Sequence, residues 1–137
     1  MSKEYVLSQI KDFGISLERY SNKKEYIDDE DIVLEAVRLS GMELKYASER
    51  LKDNSRIVIE AIKQEPTSLK YASKRLKDNS KIVSLAVKHE PKVVSFVDKE
   101  LLKDVDFVCD LLSQNENVSQ YLPKETLIKI YGTNKKR

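Results

Sequence analysis

Apolar residues recur along most of the chain at intervals of three and four, which is the spacing of one face of an α-helix. At ~100° per residue, Val33, Ala36 and Val37 share one face, whereas Glu35 and Arg38 point away from it. No segment alternates apolar and polar residues over a useful length, so β-strands are not expected. This pattern predicts an all-α protein in which the first helix of each unit, helix A, is mostly buried.

A second short helix, helix B, is predicted to follow helix A. The segment 53–55 (Asp-Asn-Ser) contains residue types that cap helix N-termini, so helix A begins there and runs to about Gln64. Pro66 suits the first turn of helix B, where its missing N–H costs nothing. Helix B ends near Leu76 in this unit. In the preceding unit Tyr46 falls nearly opposite Leu44 and close to Arg50, so helix B is predicted to be more exposed than helix A.

The two helices form a unit that repeats every 25 residues without insertion. Helices this short are marginal alone, because nucleation is costly, and they persist only by stacking on neighbours. The sequence therefore predicts a short right-handed-type α-solenoid of about four two-helix repeats. The matching segments are IVLEAV (32–37), IVIEAI (57–62), IVSLAV (82–87) and FVCDLL (107–112), together with LKYAS at 44–48 and 69–73.

The ends of the chain are predicted to be caps. Residues 1–27 carry an amphipathic helix that ends near Gly14 and covers the first repeat, and four tandem repeats occupy residues 28–123. Residues 124–131 form a final short helix, and residues 132–137 form a frayed basic tail.

The quoted segments resemble a family of short tandem bihelical repeats known as a domain of unknown function, with a consensus near Leu-Lys-Tyr-Ala-Ser. Such repeats occur in proteins of protists, bacteria and large viruses. The resemblance covers about residues 28–126 and is loosest in the last unit, where Pro123 and Thr126 replace the serine and leucine positions. It implies a helical repeat architecture and supplies no catalytic residue.

Composition narrows the class of function. A chain of 137 residues with 35% charged residues suits one thin, surface-rich domain. The net charge of +2 is smaller than most nucleic-acid-coating proteins carry. No apolar run approaches the ~20 residues of a membrane span, and the N-terminus lacks a signal-peptide core. These features predict a cytoplasmic protein without a membrane contact.

Candidate chemistry is sparse. The single cysteine, Cys109, occupies the position of Leu34 and Ile59 and is predicted to be a core residue, and His89 has no recognisable catalytic partner. One Cys and one His are too few for a typical metal site, so no cofactor or metal is expected. Carboxylates such as Glu35 and Glu60 recur in repeat register, whereas catalytic residues tend to be unique. The protein is therefore predicted not to be an enzyme.

An aromatic ladder recurs once per repeat. Two interpretations are open: packing between adjacent repeats, or an exposed stripe that inserts into a partner. Arg50 and Arg75 lie next to this ladder, and Tyr and Arg are favoured interface anchors. The ladder consists of Tyr46, Tyr71, Phe96 and Tyr121.

A basic ladder also recurs, formed by Arg38, Lys63 and Lys88 in helix A and by Lys45 and Lys70 in helix B. Its two interpretations are a solvated face and a contact for phosphates or an acidic protein. Because the excess of positive charge is small, we expect the main partner to be another protein, bound by Tyr46, Arg50, Tyr71, Arg75 and Phe96.

The resulting hypothesis is a non-catalytic protein–protein interaction module, acting as an adaptor, scaffold or inhibitor, present as a monomer or weak dimer. The alternative is a nucleic-acid-associated protein, or an inhibitor of a nucleic-acid enzyme, that uses the basic ladder.

Overall fold

The computed structural model describes residues 1–132, and within them the chain is helical without any β-strand. Short 3-10 helices, labelled η, alternate with α-helices. The basic tail predicted at 132–137 lies outside the described residues, apart from Gly132. The elements are, in chain order, α1 (Lys3–Phe13), η1 (Leu17–Tyr20), α2 (Lys24–Ile27), α3 (Glu30–Leu39), η2 (Gly41–Tyr46), α4 (Glu49–Lys52), α5 (Ser55–Gln64), η3 (Pro66–Tyr71), α6 (Lys74–Lys77), α7 (Ser80–His89), η4 (Pro91–Phe96), η5 (Leu101–Lys103), α8 (Val105–Gln114), η6 (Glu116–Tyr121) and α9 (Lys124–Tyr131).

These elements form a helical repeat array, which confirms the predicted architecture. Each repeat contains a long α-helix, a 3-10 helix and a short helix, and this order occurs five times within residues 1–132. The segment 3–27, predicted only as a cap, has the same order, so it is a degenerate first repeat. We number the repeats 1 (α1, η1, α2), 2 (α3, η2, α4), 3 (α5, η3, α6), 4 (α7, η4, η5) and 5 (α8, η6, α9).

The long helices begin where the sequence predicts. Asn54 caps α5, its Oδ1 atom accepting the backbone N–H of Ile57 at 3.1 Å, and Asn79 caps α7 in the same way. These caps satisfy N–H groups that have no partner inside the helix. The final helix, α9, also lies where a helix is predicted.

The prediction of helix B as one α-helix is wrong. Its first half is a 3-10 helix, then two residues are extended, and a single helical turn follows. In repeat 3 the extended residues are Ala72 and Ser73, with ψ of 163° and 160°. The hydroxyl of Ser73 accepts the backbone N–H of Leu76 at 3.2 Å and so starts a new turn. Serine favours such caps over helix interiors because its hydroxyl competes for backbone groups.

The repeats pack in two layers around one core. The long α-helices stack on one another in one layer, and the 3-10 helices stack in the other. Residues one repeat apart are buried alike: Val33, Val58, Val83 and Val108 are all fully buried. Each such side chain contributes about 1.5–3 kcal/mol by leaving water, so the stacking of repeats is the main source of stability.

One close approach in this packing requires glycine. Gly41 starts η2 at the position where repeats 3 and 4 have proline, and a Cβ there would overlap the backbone carbonyl of Ala61 in α5. Its φ is not positive, so contact between η2 and α5, rather than backbone conformation, demands the missing side chain.

Candidate interaction surface

Arg50 does not extend into solvent as a free interface anchor. It reaches back to repeat 1, where its Nε donates to Asp28 Oδ1 at 2.9 Å and its Nη2 donates to the carbonyl of Asp28 at 2.7 Å. Ser48 donates its hydroxyl to the same carboxylate at 2.6 Å. The backbone N–H of Ser48 donates to the carbonyl of Ile27 at 2.9 Å. These contacts join repeats 1 and 2.

The same arrangement joins repeats 2 and 3. Arg75 donates to Asp53 Oδ1 at 2.9 Å and to its carbonyl at 2.8 Å, and Ser73 donates to the carboxylate at 2.5 Å. The N–H of Ser73 donates to the carbonyl of Lys52 at 2.9 Å. We call the two sets, Asp28–Ser48–Arg50 and Asp53–Ser73–Arg75, the inter-repeat clamps. Both arginines predicted to bind a partner are thus engaged within the chain.

The clamps lower the pKa of their carboxyl groups. Hydrogen bonds from Ser48, and then from Arg50, hold the pKa of Asp28 below its ordinary value of 3.8. Ser73 and Arg75 lower the pKa of Asp53 in the same order. Hydrogen bonds to the charged form of a carboxylate favour that form, so the clamps stabilise the ionised form of both aspartates.

The basic ladder on the long helices is partly neutralised. Glu60 lies between Arg38 and Lys63, with N–O distances of 4.0 Å and 3.8 Å. Lys88 is exposed, and Leu85 occupies the position in its repeat that is equivalent to Glu60. Within residues 1–132, Lys88 is the one member of this ladder without an ion pair. An uninterrupted row of free cations is therefore not present there.

Lys45 and Lys70 lie on a different surface from Arg38, Lys63 and Lys88. Lys45 Nζ lies 5.6 Å from the ring centroid of Tyr46. Lys70 Nζ lies 5.3 Å from the centroid of Tyr71 and 5.8 Å from that of Phe96. These distances are those of cation–π contacts. The structure thus combines two of the five residues of the basic ladder with the aromatic ladder, in the layer of 3-10 helices.

The aromatic ladder satisfies both interpretations in part. Tyr46, Tyr71 and Phe96 are half-buried and pack against the core, whereas 40% of Tyr121 is exposed. Neither the Tyr46 nor the Tyr71 hydroxyl has a hydrogen-bond partner among the described residues, and neither is buried. The rings therefore fill space between repeats while their hydroxyls face solvent.

Lys92 belongs to the same surface, although the sequence pattern did not reveal it. In a 3-10 helix, residues three apart lie above one another. Thr67 therefore lies in the same row of η3 as Lys70. Lys92, the equivalent of Thr67 in η4, lies in that row one repeat further on, together with Ser95. The hydroxyl of Thr67 points to the sulfur of Met42 at 3.9 Å, which shows that the outer rows of η2 and η3 lie in register. A 3-10 period in this segment was the signal that could have identified Lys92.

We call this surface, Lys45, Tyr46, Lys70, Tyr71, Lys92 and Phe96, the lysine–aromatic face. The three lysines are exposed and form no ion pair within residues 1–132. The one carboxylate in η2, η3 and η4 is Glu43, which accepts the hydroxyl of Ser16 and the N–H of Leu17 at 2.5 Å. The face therefore offers hydrogen-bond donors and positive charge to solvent.

Cys109 and His89, the two remaining residues singled out in the sequence, both lie at the surface. Cys109 is exposed, so its assignment to the core is wrong. The equivalent Leu34 is buried, Ile59 and Ser84 are half-buried, and Cys109 is exposed, so burial at this position declines along the array. His89 ends α7 and is exposed.

One surface groove, near the N-terminal end of the array, does not assemble new chemistry. It has a volume of about 480 Å³ and is lined in part by Asp28, Ser48 and Arg50, which already form a clamp. Among residues 1–132, no group of three or more His, Cys, Asp or Glu side chains is placed to hold a metal ion. No helix in this part of the chain has the length and apolar character needed to cross a membrane.

The family follows from the repeats themselves. Residues 29–77 and residues 79–127 each match the family described as Domain of unknown function (DUF4116). The chain belongs to this family. Each match spans two of the 25-residue repeats, and together the matches cover repeats 2 to 5, which confirms the resemblance inferred from the sequence. No curated protein and no solved structure matches the chain.

Proposed function

We propose that this protein is a non-catalytic protein–protein interaction module, an adaptor, scaffold or inhibitor, that binds its partner through the lysine–aromatic face. One observation carries the proposal. Three successive repeats present lysines without ion pairs, among residues 1–132, beside half-buried rings, whereas Arg50, Arg75 and Glu60 are used within the chain. This surface thus presents, in three successive repeats, lysines that the fold does not use beside aromatic rings that it holds in place.

The face has the physical properties of an interface anchor. Tyrosine offers apolar area and a hydrogen-bonding hydroxyl at a low cost in conformational entropy, and it is enriched among residues that dominate binding energy. Packing of Tyr46 and Tyr71 against the core restricts the rings before a partner arrives. Binding therefore loses little side-chain entropy, because a preorganised surface has already been ordered by folding.

A nucleic-acid partner is less well supported. Glu60 lies beside Arg38 and Lys63, which reduces the positive charge along the long helices. On the other layer, Lys45 and Lys70 lie over aromatic rings. Proteins that bind single-stranded nucleic acid use open ring faces on which bases stack, and here lysine side chains occupy those faces.

The proposal is tested by affinity capture from a native lysate with three baits: the unaltered chain, a Lys45→Ser/Lys70→Ser/Lys92→Ser variant, and a matched Lys63→Ser/Lys81→Ser/Lys88→Ser variant. Both variants lose three exposed lysines, but the second loses them from the layer of long helices. We expect a nuclease-resistant protein partner that the first variant loses and the second retains.

Equal capture by both variants would place the binding surface elsewhere. Loss of all captured protein after nuclease treatment would instead favour nucleic acid as the direct partner.

A further inference from the structure

We infer that the partner segment bound at the lysine–aromatic face is an extended acidic peptide with a carboxylate at about every third residue. This inference rests on the proposed function and adds the chemistry of the partner. It follows from the sign of the charge on the face, the spacing of the repeats and the covering of the aromatic rings.

The sign of the charge comes first. The outer rows of η2, η3 and η4 present Lys45, Lys70 and Lys92 to solvent, and Glu43 is held by repeat 1. The solvent-facing hydroxyls of Tyr46 and Tyr71 add one donor in each of two repeats. A ligand that supplies several acceptors with negative charge satisfies such a surface, because charge-assisted hydrogen bonds are stronger than neutral ones.

The spacing comes from the stacking of repeats. Packed helices lie about 8–10 Å apart, and an extended peptide in the polyproline II conformation advances about 3.1 Å per residue and presents the same side every third residue. Three residues of an extended peptide therefore span about one repeat. Lys45 and Lys70 occupy the same position in adjacent repeats, so carboxylates at every third residue meet one lysine per repeat. Lys92 lies one 3-10 turn earlier in η4, a difference that its long side chain can bridge.

The lysine that lies over the aromatic rings favours a peptide ligand over a nucleic acid. Lys70 Nζ lies within 6 Å of the centroids of both Tyr71 and Phe96, at 5.3 Å and 5.8 Å. A base would have to displace this lysine to stack on either ring. A carboxylate instead reaches the ammonium group and the phenol hydroxyl of one repeat without moving a ring.

The test uses short fluorescent peptides of identical composition, one with glutamate at every third position among serine and glycine and one with the glutamates adjacent. Binding is measured by fluorescence anisotropy at low ionic strength and again at physiological salt. We expect the spaced peptide to bind several-fold more tightly and its affinity to fall with salt, since exposed charge pairs are screened.

Substitution of the lysines identifies the surface. Each of Lys45→Ser, Lys70→Ser and Lys92→Ser is expected to weaken binding of the spaced peptide about twofold to fivefold. The matched Lys63→Ser/Lys81→Ser/Lys88→Ser variant should bind it as the unaltered chain does. Circular dichroism of every variant establishes that the helices are retained.

Three results would overturn the inference: equal affinity for the two peptides, no effect of the three lysines, or tighter binding of a single-stranded oligonucleotide at the same face. A protein partner that depends on this face, found alongside no binding of either peptide, would overturn the acidic-segment inference and leave the proposed function standing.

Discussion

The two clamped junctions, between repeats 1 and 2 and between repeats 2 and 3, differ sharply from the junction between repeats 3 and 4. At the first two, an aspartate accepts hydrogen bonds from a serine and an arginine of the next repeat. At the third junction, Asp78 occupies the aspartate position, but Asp98 and Glu100 occupy the positions of the serine and the arginine. Asp98 pairs instead with Lys74, and no inter-repeat hydrogen bond from its backbone N–H is present among residues 1–132.

The comparison separates two contributions to the array. The apolar core continues through the unclamped junction, since Val83 and Val94 are fully buried on its far side. Stacking of apolar faces is therefore sufficient to place repeat 4, whereas the clamps add polar contacts that hold a junction closed. Local opening is therefore expected more readily at the junction between repeats 3 and 4 than at the two clamped junctions, because fewer polar contacts cross it.

The largest expected effect comes from breaking the packing inside the clamped region. Gly41→Ala should lower the free energy of unfolding by about 1–3 kcal/mol, because overpacking forces the backbone to shift and the obstacle here is the carbonyl of Ala61. Urea denaturation measures the loss.

Gly14→Ala is the matched control for this substitution. Gly14 has φ of 64°, and no atom lies within 4 Å of the place that a Cβ would occupy. Gly14→Ala should therefore lower the free energy of unfolding by about 1–2 kcal/mol through backbone conformation alone. If Gly41→Ala lowers the free energy of unfolding less than Gly14→Ala does, then η2 can move away from α5 with little loss of stability.

Removing a clamp is the next test. Asp53→Asn should lower Tm by a few degrees and speed hydrogen exchange of the Ser73 amide, because the neutral amide no longer pairs with Arg75. Asp78→Asn should leave Tm unchanged, since the Asp78 side chain makes no hydrogen bond or ion pair within residues 1–132. Differential scanning calorimetry and exchange measurements compare the two, and equal shifts would mean that the clamp does not stabilise its junction.

Acid should weaken the clamped junctions. Folding lowers the pKa of Asp28 and Asp53 below the ordinary 3.8. A depressed pKa contributes stability that is fully present above the unfolded value and is lost as the pH falls through the folded value. Stability should thus fall below about pH 4, and less steeply in an Asp28→Asn/Asp53→Asn variant. A parallel decline of Tm in both proteins would contradict the assignment.

The difference between the junctions can also be removed by adding a clamp. Asp98→Ser together with Glu100→Arg should place a serine and an arginine opposite Asp78, at the spacing found in the two natural clamps. We expect a modest rise in Tm and slower hydrogen exchange at the amide of residue 98. The gain is smaller than the loss in Asp53→Asn, because the change also removes the ion pair between Asp98 and Lys74.

The smallest effect is expected at Ser68. Its hydroxyl is fully buried without a hydrogen-bond partner among the described residues, and the equivalent positions in repeats 4 and 5 hold Val93 and Val118. Ser68→Ala should therefore be neutral or should raise the free energy of unfolding by up to about 1 kcal/mol. A clear loss of stability in urea denaturation would show that the hydroxyl has a partner, such as a buried water molecule.

Much of the fold was predictable because it depends on local rules. Helix α5 begins after Asn54 and ends at Gln64, as the capping residues and the pattern of apolar positions indicate. The positions predicted to be buried in helix A, such as Val33 and Ala36, are buried. The capping and periodicity signals are encoded within about ten neighbouring residues and need no knowledge of the tertiary structure.

The candidate surface was less predictable because its geometry depends on helix B. An α-helical period of ~100° per residue placed Tyr46 near Arg50. The extended residue Ala47 and the Ser48 cap separate them in the structure, and Arg50 turns toward Asp28. The exposed row of the 3-10 helices, which includes Lys92, follows a different period that the repeated sequence alone does not specify.

By itself, the sequence determined an all-α array with a 25-residue period, the starts of its long helices and the residues of its core, since these depend on capping, periodicity and repetition. Only the tertiary structure decided that residues 3–27 form an additional repeat at the start of the array. It also decided that Arg50 and Arg75 clamp neighbouring repeats, and that Lys45 and Lys70 lie over the aromatic rings. Those features depend on which side chains of one repeat come within reach of the next, and that distance arises from the stacking of the whole array.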